Sequence, residues 1–344
     1  MTDLTDRQKQ ILALVIRDYI ETAQPVGSQR LVEVYNLNVS SATVRNELSA
    51  LTEMGYLRQP HTSAGRVPSE EGYRYFVGQL MGNTDLPMPT KRMIIHQFYQ
   101  AGTDIERWMR LAASVLAHQS QGASLVTAPH SEMPIYKHVE LISTRGRQVL
   151  MVLVMANGEI RQQMLTLAEP ITQEQLSTVA QHLNSLYQGL NIAGIQAASS
   201  QLEALEQDIT KLISDVLHQS SNILGGEVYR DGINQVLGEP EFSEVGTARR
   251  ALRILEERPL LEDLLSRTLL STELGGVQVL IGGEGTYEEL RDCSFVLARY
   301  GHPALATGTL GVLGPIRMPY GRTISTVRFV ANLLSDLVVD LHTE

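Results

Sequence analysis

Ala42, Arg45, Asn46 and Ser49 have the types and the spacing to read the edges of base pairs. They lie in SSATVRNELSALTEMG, residues 40–55, where Val44, Leu48 and Leu51 recur at helical spacing. That spacing puts the three apolar residues on one side of a helix and the four polar or small ones on the other. An arginine can bind guanine O6 and N7 with two bonds, and an asparagine can bind adenine N6 and N7. An alanine can touch a thymine methyl, and a serine can bond to several base edges or to phosphate. Ser41 and Thr43, in the first turn, complete the candidate contact set on this helix. A helix that merely faces solvent would carry several Glu and Lys. Here the acids are Glu47 and Glu53, and helical spacing turns both away from the line through Ala42, Arg45 and Ser49. Arg45 has two other possible roles, as a phosphate clamp or as a partner of Glu47 or Glu53.

The flanking residues supply what would position such a helix. Thr5 and Gln8 form a Thr-x-x-Gln capping box for a first helix, with Leu12, Val15, Ile16 and Tyr19 on one face. Pro25 and Gly27 stop it, and Ser28 can cap a second helix carrying Leu31, Val32 and Val34. Asn36-Leu37-Asn38 is a turn signal, and Ser40 or Ser41 caps the third helix, which ends at Gly55. Residues 56–59 then read as a short strand, with Arg66 and Val67 returning antiparallel to it. The PHTSAG tip lies between them, with Gly65 available for a turn. His61, Thr62, Ser63 and Arg66 are donors suited to phosphate or minor-groove contact. Three helices and a β-wing of this length predict a winged helix-turn-helix. A winged helix used for protein contact rather than DNA is the competing reading. Pro68 closes the wing, and Ser69 caps a fourth helix with Tyr73, Phe76, Val77 and Leu80 on its buried side.

Charge distribution qualifies the nucleic-acid reading. The net charge is −10, from 28 Lys and Arg against 38 Asp and Glu. Residues 1–82 hold 8 of the former and 9 of the latter, so the acid excess lies beyond them. A head this weakly charged must depend on a few placed contacts and on dimerisation rather than on bulk electrostatics. The hydrophobic content of 43% and charged content of 19% suit cored domains. Cys293 is the one cysteine, which excludes an intrachain disulfide and a thiolate metal cluster. The nine histidines show no clustered ligand spacing, so no metal and no cofactor is expected. Gly282-Gly283-Glu284-Gly285 lacks both phosphate-loop and dinucleotide spacing and reads as a tight turn. Neither a nucleophile elbow nor a carboxylate pair stands out, so no enzyme is expected. The first residues lack the apolar run of a signal peptide, and no apolar run approaches the ~20 residues of a membrane span. A cytoplasmic protein without a membrane partner is the expectation.

Beyond Gly82–Thr90, which reads as a linker, the pattern is helical to about Gln121. Four strand-like runs follow, at 124–127, 137–143, 148–155 and 160–167. Arg145-Gly146 and Asn157-Gly158 serve as hairpin turns. Helical stretches come next at 172–188 and 198–221, then a largely helical block at 225–270. Strand character returns at 277–281, 293–299 and 308–313, before a final amphipathic helix at 323–341. Sheet on both sides of a helical block predicts an α+β domain interrupted by an insertion. A scaffold role for this domain is the favoured reading, with a ligand pocket lined by MPYGR, residues 318–322, as the alternative.

VSSATVRNEL, GYLRQPHTSAGRVPS, GYRYFV, LIGGE and GPIRMPYGRTISTVRFVANLL closely resemble the HrcA family of heat-inducible transcription repressors. The resemblance runs through essentially the whole chain, with the motifs in the family's order. It implies a winged helix-turn-helix, at about 1–82, and a GAF-like domain, at about 91–190 and 272–344, with the linker read from composition over 83–90 between them. It also implies an inserted dimerisation segment over 191–271. It further implies a homodimer that represses chaperone genes at an inverted-repeat operator called CIRCE, is released on heat stress, and is supported by the chaperonin GroEL. A metabolite-responsive repressor, with the GAF-like domain as sensor, is the alternative.

Overall fold

The computed structural model describes residues 4–61, 64–82, 84–269, 274–282 and 287–343. Helix α1 (Asp6–Thr22) starts at Thr5, whose hydroxyl accepts from the Gln8 amide at 3.3 Å. The Gln8 side chain accepts in return from the Thr5 amide at 3.0 Å, closing the expected capping box. The helix stops before Pro25, with Ala23 in the left-handed region at φ 54°. Helices α2 (Ser28–Tyr35) and α3 (Ser41–Glu53) follow. Ser28 does not cap α2. Gly27 occupies the cap position, and Ser28 is buried in the first turn. Ser40 caps α3, its hydroxyl accepting from the Thr43 amide at 3.1 Å. Ile11, Leu12, Val15 and Ile16 of α1 share a core with Leu31 of α2 and with Val44, Leu48 and Leu51 of α3. Burying each such side chain contributes roughly 1.5–3 kcal/mol before the entropy of ordering it is subtracted.

A buried charge joins the first two helices. Asp18, 2% exposed, accepts from Arg30 Nε at 2.8 Å and from Arg30 Nη2 at 2.9 Å. Both carboxylate oxygens are thereby engaged by a planar fork, the geometry in which a buried carboxylate is tolerated.

Strands β1 (Leu57–Arg58) and β2 (Val67–Pro68) pair antiparallel, with Leu57 opposite Pro68 and Arg58 opposite Val67. The ribbon is shorter than the sequence suggests, because Arg66 pairs elsewhere. Its amide donates to the Val26 carbonyl and its carbonyl accepts from the Val26 amide, both at 2.8 Å. Gly65 serves this close approach rather than a turn with positive φ. A Cβ there would lie 2.5 Å from the Val26 carbonyl carbon.

Helix α4 (Glu70–Tyr75) starts at Ser69, whose hydroxyl accepts from the Gly72 amide at 3.0 Å, and runs on as a π-turn over Phe76–Leu80. Tyr73 and Phe76 are buried, while Val77 and Leu80 are half-buried. The expected linker is not a free tether where it is described. Thr84 donates to the Gly321 carbonyl at 2.9 Å, Ser325 donates to the Thr84 carbonyl at 3.0 Å, and Leu86 is buried. Helix α5 (Met88–Gln100) already begins inside it.

Helix α6 (Ile105–Ser120) leads into β3 (Ala123–Thr127). The chain continues through β4 (Tyr136–Ser143), β5 (Gln148–Met155) and β6 (Ile160–Thr166). Helices α7 (Gln173–Tyr187), α8 (Ile192–Ala198) and α9 (Ala204–Ser221) come next. After them stand β7 (Val228–Asp231), α10 (Ile233–Leu237), α11 (Val245–Glu256) and α12 (Arg258–Leu269). The chain ends with β8 (Val277–Ile281), β9 (Cys293–His302), β10 (Ala306–Pro315) and α13 (Tyr320–Thr343). The architecture is α+β, as the pattern of elements predicts. Among the described residues, no helix is long and apolar enough to cross a membrane. Gly283, Glu284 and Gly285, read as a tight turn, lie outside the described residues.

Two compact units emerge. The first comprises residues 1–127, 228–300 and 309–335, and the second 128–227, 301–308 and 336–344. The first holds a five-stranded sheet in the order β7-β3-β10-β9-β8. Its core contains Leu125, Phe295, Tyr300 and Leu310, with Val327 and Val330 of α13. Met318 and Tyr320 of the MPYGR run are also buried, and the Tyr320 hydroxyl meets Ser294 Oγ at 2.7 Å. Tyr320 fills the interior, whereas Met318 and Pro319 line a concavity of about 270 Å³.

The second unit holds the β4-β5-β6 meander, with Gly146 and Gly158 in the left-handed region between strands. Val149, Met151, Leu153 and Met155 alternate with half-buried neighbours along β5 and point to one covered face. Leu176, Leu183 and Tyr187 of α7 join that face, as do Ile209 and Ile213 of α9. Asn184 anchors α7 to the sheet. Its Oδ1 accepts from the Tyr136 hydroxyl at 2.7 Å and from the Val139 amide at 2.8 Å.

This division departs from the expected boundaries. Residues 191–271 do not form a unit of their own. Their first part, with α8 and α9, belongs to the second unit, and their remainder to the first. Strand β7, read as helical context, pairs with β3 and places Val228 opposite Thr127. The chain therefore leaves the five-stranded sheet and re-enters it at cross-strand neighbours.

Candidate nucleic-acid interface

The apolar stripe of α3 fixes which side chains face outward. Val44, Leu48 and Leu51 are at most 4% exposed, so rotation about the helix axis is locked. Ser41, Ala42, Arg45 and Asn46 are exposed in consequence, and Thr43 and Ser49 are half-exposed. The Thr43 hydroxyl lies 2.9 Å from Ser40 Oγ, so it takes part in the cap.

Arg45 pairs with neither Glu47 nor Glu53. Glu47 turns instead toward α1, where its Oε1 lies 3.5 Å from Arg7 Nη1. The outer line of α3 is thus free of acid, and Arg45 makes no ion pair among the described residues.

A concavity of about 400 Å³ runs from this helix to the ribbon, lined in part by Ser28, Arg45, Ser49, Gln59, Gly65 and Arg66. Three of the expected contact residues, Arg45, Ser49 and Arg66, are therefore brought to one surface. Arg66 is held there by its Nε, which donates to Thr52 Oγ1 of α3 at 2.9 Å. Thr52 is in turn bonded to the Leu48 carbonyl at 2.7 Å. The tip of the ribbon closes through the Ala64 amide, which donates to the His61 carbonyl at 2.9 Å. Gln59 Nε2 adds a bond to the Ala64 carbonyl at 3.1 Å. His61 is exposed at that tip. Thr62 and Ser63 lie outside the described residues.

Among the residues at this surface outside the expected set, Gln59 and Thr52 matter most. Gln59 lines the concavity, and Thr52 orients Arg66. Strand alternation carried the signal for Gln59, since it faces opposite to Arg58. The pairing of Thr52 with Arg66, 14 residues apart, leaves no local trace in the sequence.

A helix presenting an exposed Arg and Asn beside a cationic ribbon has the layout of a DNA-binding regulator. The comparisons with known proteins bear on the same class. Residues 106–324 match the family model described as the HrcA protein C terminal domain. The heat-inducible transcription repressor HrcA of Roseiflexus castenholzii is 46% identical, over 99% of this chain and 96% of its own length. The repressor of the same name from Herpetosiphon aurantiacus is 43% identical, over 99% of this chain and 97% of its own. Among solved structures, the crystal structure of a hypothetical protein has a TM-score of 0.59 at 23% identity, covering 98% of each chain. That last likeness shows the fold alone.

The class is that of transcription repressors, not of enzymes. The chain belongs to the HrcA family.

Proposed function

We propose that α1 to β2 act as a winged helix-turn-helix that binds an inverted-repeat operator of the CIRCE type. Helix α3 enters the major groove, with Arg45 and Asn46 reading base edges and Ala42 against a thymine methyl. Ser41, Thr43 and Ser49 bond to backbone or edges, and His61, Thr62, Ser63 and Arg66 hold the flanking phosphates. The observation that carries this reading is the unpaired, acid-free outer line of α3, beside an Arg66 clamped toward it.

The protein acts as a homodimer, so that two-fold symmetry in the protein meets two-fold symmetry in the operator. A second half-site is then bound at high effective concentration, which compensates for a head of low positive charge. The dimerising insertion is best matched by residues 128–227, which leave and rejoin the sheet at Thr127 and Val228. The five-stranded sheet domain is the GAF-like scaffold, and its filled interior around Tyr320 favours positioning over the holding of a metabolite in that interior. Repression is of heat-shock genes. It is relieved when warming depletes the DNA-competent fold, and chaperonin GroEL restores that fold when it is not occupied by damaged clients.

Fluorescence anisotropy with an intact CIRCE-type repeat, against a duplex with one half-site scrambled, tests the reading at physiological salt. A strong preference for the intact repeat is expected. Equal binding to both duplexes, with and without chaperonin, would sink it.

A further inference from the structure

Arg58 precedes Gln59 on the ribbon, and the alternation of a strand turns it to the opposite flank. There it lines a second concavity of about 720 Å³. The walls come from α1, the ribbon, α4, the approach to β9 and the exit from β10. Most of the charge on these walls is matched internally. Arg74 pairs with Glu70 at 3.1 Å and with Glu71 at 3.3 Å. Arg317 holds Glu239 and Glu241, and Asp292 is taken by Arg250.

Two guanidinium groups are left over. Neither Arg58 nor Arg291 has a carboxylate partner among the described residues. A third donor belongs to a residue of the same lining. Tyr73 is a lining residue of the same concavity, and its buried hydroxyl has no hydrogen-bond partner among the described residues. Native structures leave few buried hydroxyls unpaired, so such a group calls for an explanation. The Tyr73 ring itself is fixed by packing, 5.8 Å from the ring of Tyr320.

We propose that this cleft binds a compact oxyanion, the phosphate or carboxylate group of a small metabolite, between Arg58 and Arg291 with the Tyr73 hydroxyl as third donor. Planar guanidinium forks suit either oxyanion, and a phenol donates one further bond. The volume lies in the range of small-molecule sites. An anion held there bridges the ribbon, through Arg58, to the strand β9 side of the sheet, through Arg291. The site stands apart from the DNA reading, because binding is measured on the protein alone.

Isothermal titration calorimetry of the full chain with inorganic pyrophosphate and with succinate, each against sodium chloride of equal ionic strength, tests the proposal. Saturable binding of one anion per chain is expected, and the stronger probe tells phosphate from carboxylate. Arg58→Gln and Arg291→Gln should each weaken it about tenfold or more. Both residues are exposed, so the fold, followed by circular dichroism, should be unchanged. Tyr73→Phe should weaken it several-fold, and Arg45→Gln should leave it intact. Absence of saturable binding by either probe overturns the site. So does binding that survives in the Arg58→Gln, Arg291→Gln double variant, or that is lost in Arg45→Gln. Full-strength binding in Tyr73→Phe overturns the third contact.

Discussion

Arg66 Nε donates to Thr52 Oγ1 at 2.9 Å, joining the return strand of the ribbon to the last turn of α3. One hydrogen bond thus fixes the ribbon's cation relative to the helix proposed to read bases. The two residues separate position from charge. Arg66→Ala removes both and should weaken operator and scrambled DNA alike, lowering the salt dependence by about one unit of slope. Thr52→Val keeps the charge, so its salt slope should match that of the wild type while affinity falls less. Titrations at several salt concentrations decide this. Equal slopes for all three proteins would place Arg66 off the phosphate backbone.

Arg45 should behave differently. With Glu47 turned to Arg7, its guanidinium is available for a base edge. Arg45→Ala is expected to cost about 1–3 kcal/mol of operator affinity and to relax discrimination at one base pair in each half-site. Glu47→Ala breaks only a surface pair and should change neither quantity measurably. A panel of single-substitution half-sites in competition binding reads both. Uniform loss across the panel would make Arg45 a phosphate contact.

The Asp18–Arg30 pair predicts an asymmetry between two variants. Asp18 is 2% exposed, whereas the Arg30 side chain is 48% exposed. Arg30→Ala leaves a buried carboxylate without its partner, and the burial cost is then unrelieved. Asp18→Asn leaves an arginine that water can still reach. Thermal unfolding should therefore show the larger fall in Tm for Arg30→Ala. The reverse order would mean that the carboxylate is rehydrated when the arginine is lost.

Acid should destabilise the protein in part through His130. Burial pushes this imidazole below its ordinary value, so the folded state resists the proton that the unfolded chain accepts. A depressed value means that its contribution is fully present above the unfolded value of about 6.5 and is lost as the pH falls below it. A neutral replacement, His130→Gln, should flatten that part of the curve of stability against pH, whatever its effect at neutral pH. Urea unfolding at pH 5 and pH 7.5, compared with the wild type, checks the slope. An unchanged slope would assign the acid sensitivity to other groups.

Local chemistry made the head legible in the sequence. The Thr5–Gln8 box, the Ser40 and Ser69 caps, and the Val44/Leu48/Leu51 stripe each depend on residues within one or two turns. Short-range hydrogen bonding and helical period suffice to place them, and with them the outward direction of Ala42, Arg45 and Asn46. The hairpins at Gly146 and Gly158 were readable for the same reason. What required the tertiary structure was pairing over distance. That Arg66 turns to Val26 and Thr52, that β7 joins β3, and that Thr84 is bonded to the C-terminal helix all depend on segments remote in the chain. Backbone groups seek any partner of the right geometry, and the sequence records their need for one without naming it. The compact units differ from the expected boundaries for that reason, since β7, where the chain rejoins the sheet, has only four residues and no pattern of its own. The sequence determined which residues could meet DNA. Only the packed chain decided which of them share a surface, and that Arg58 faces away from it.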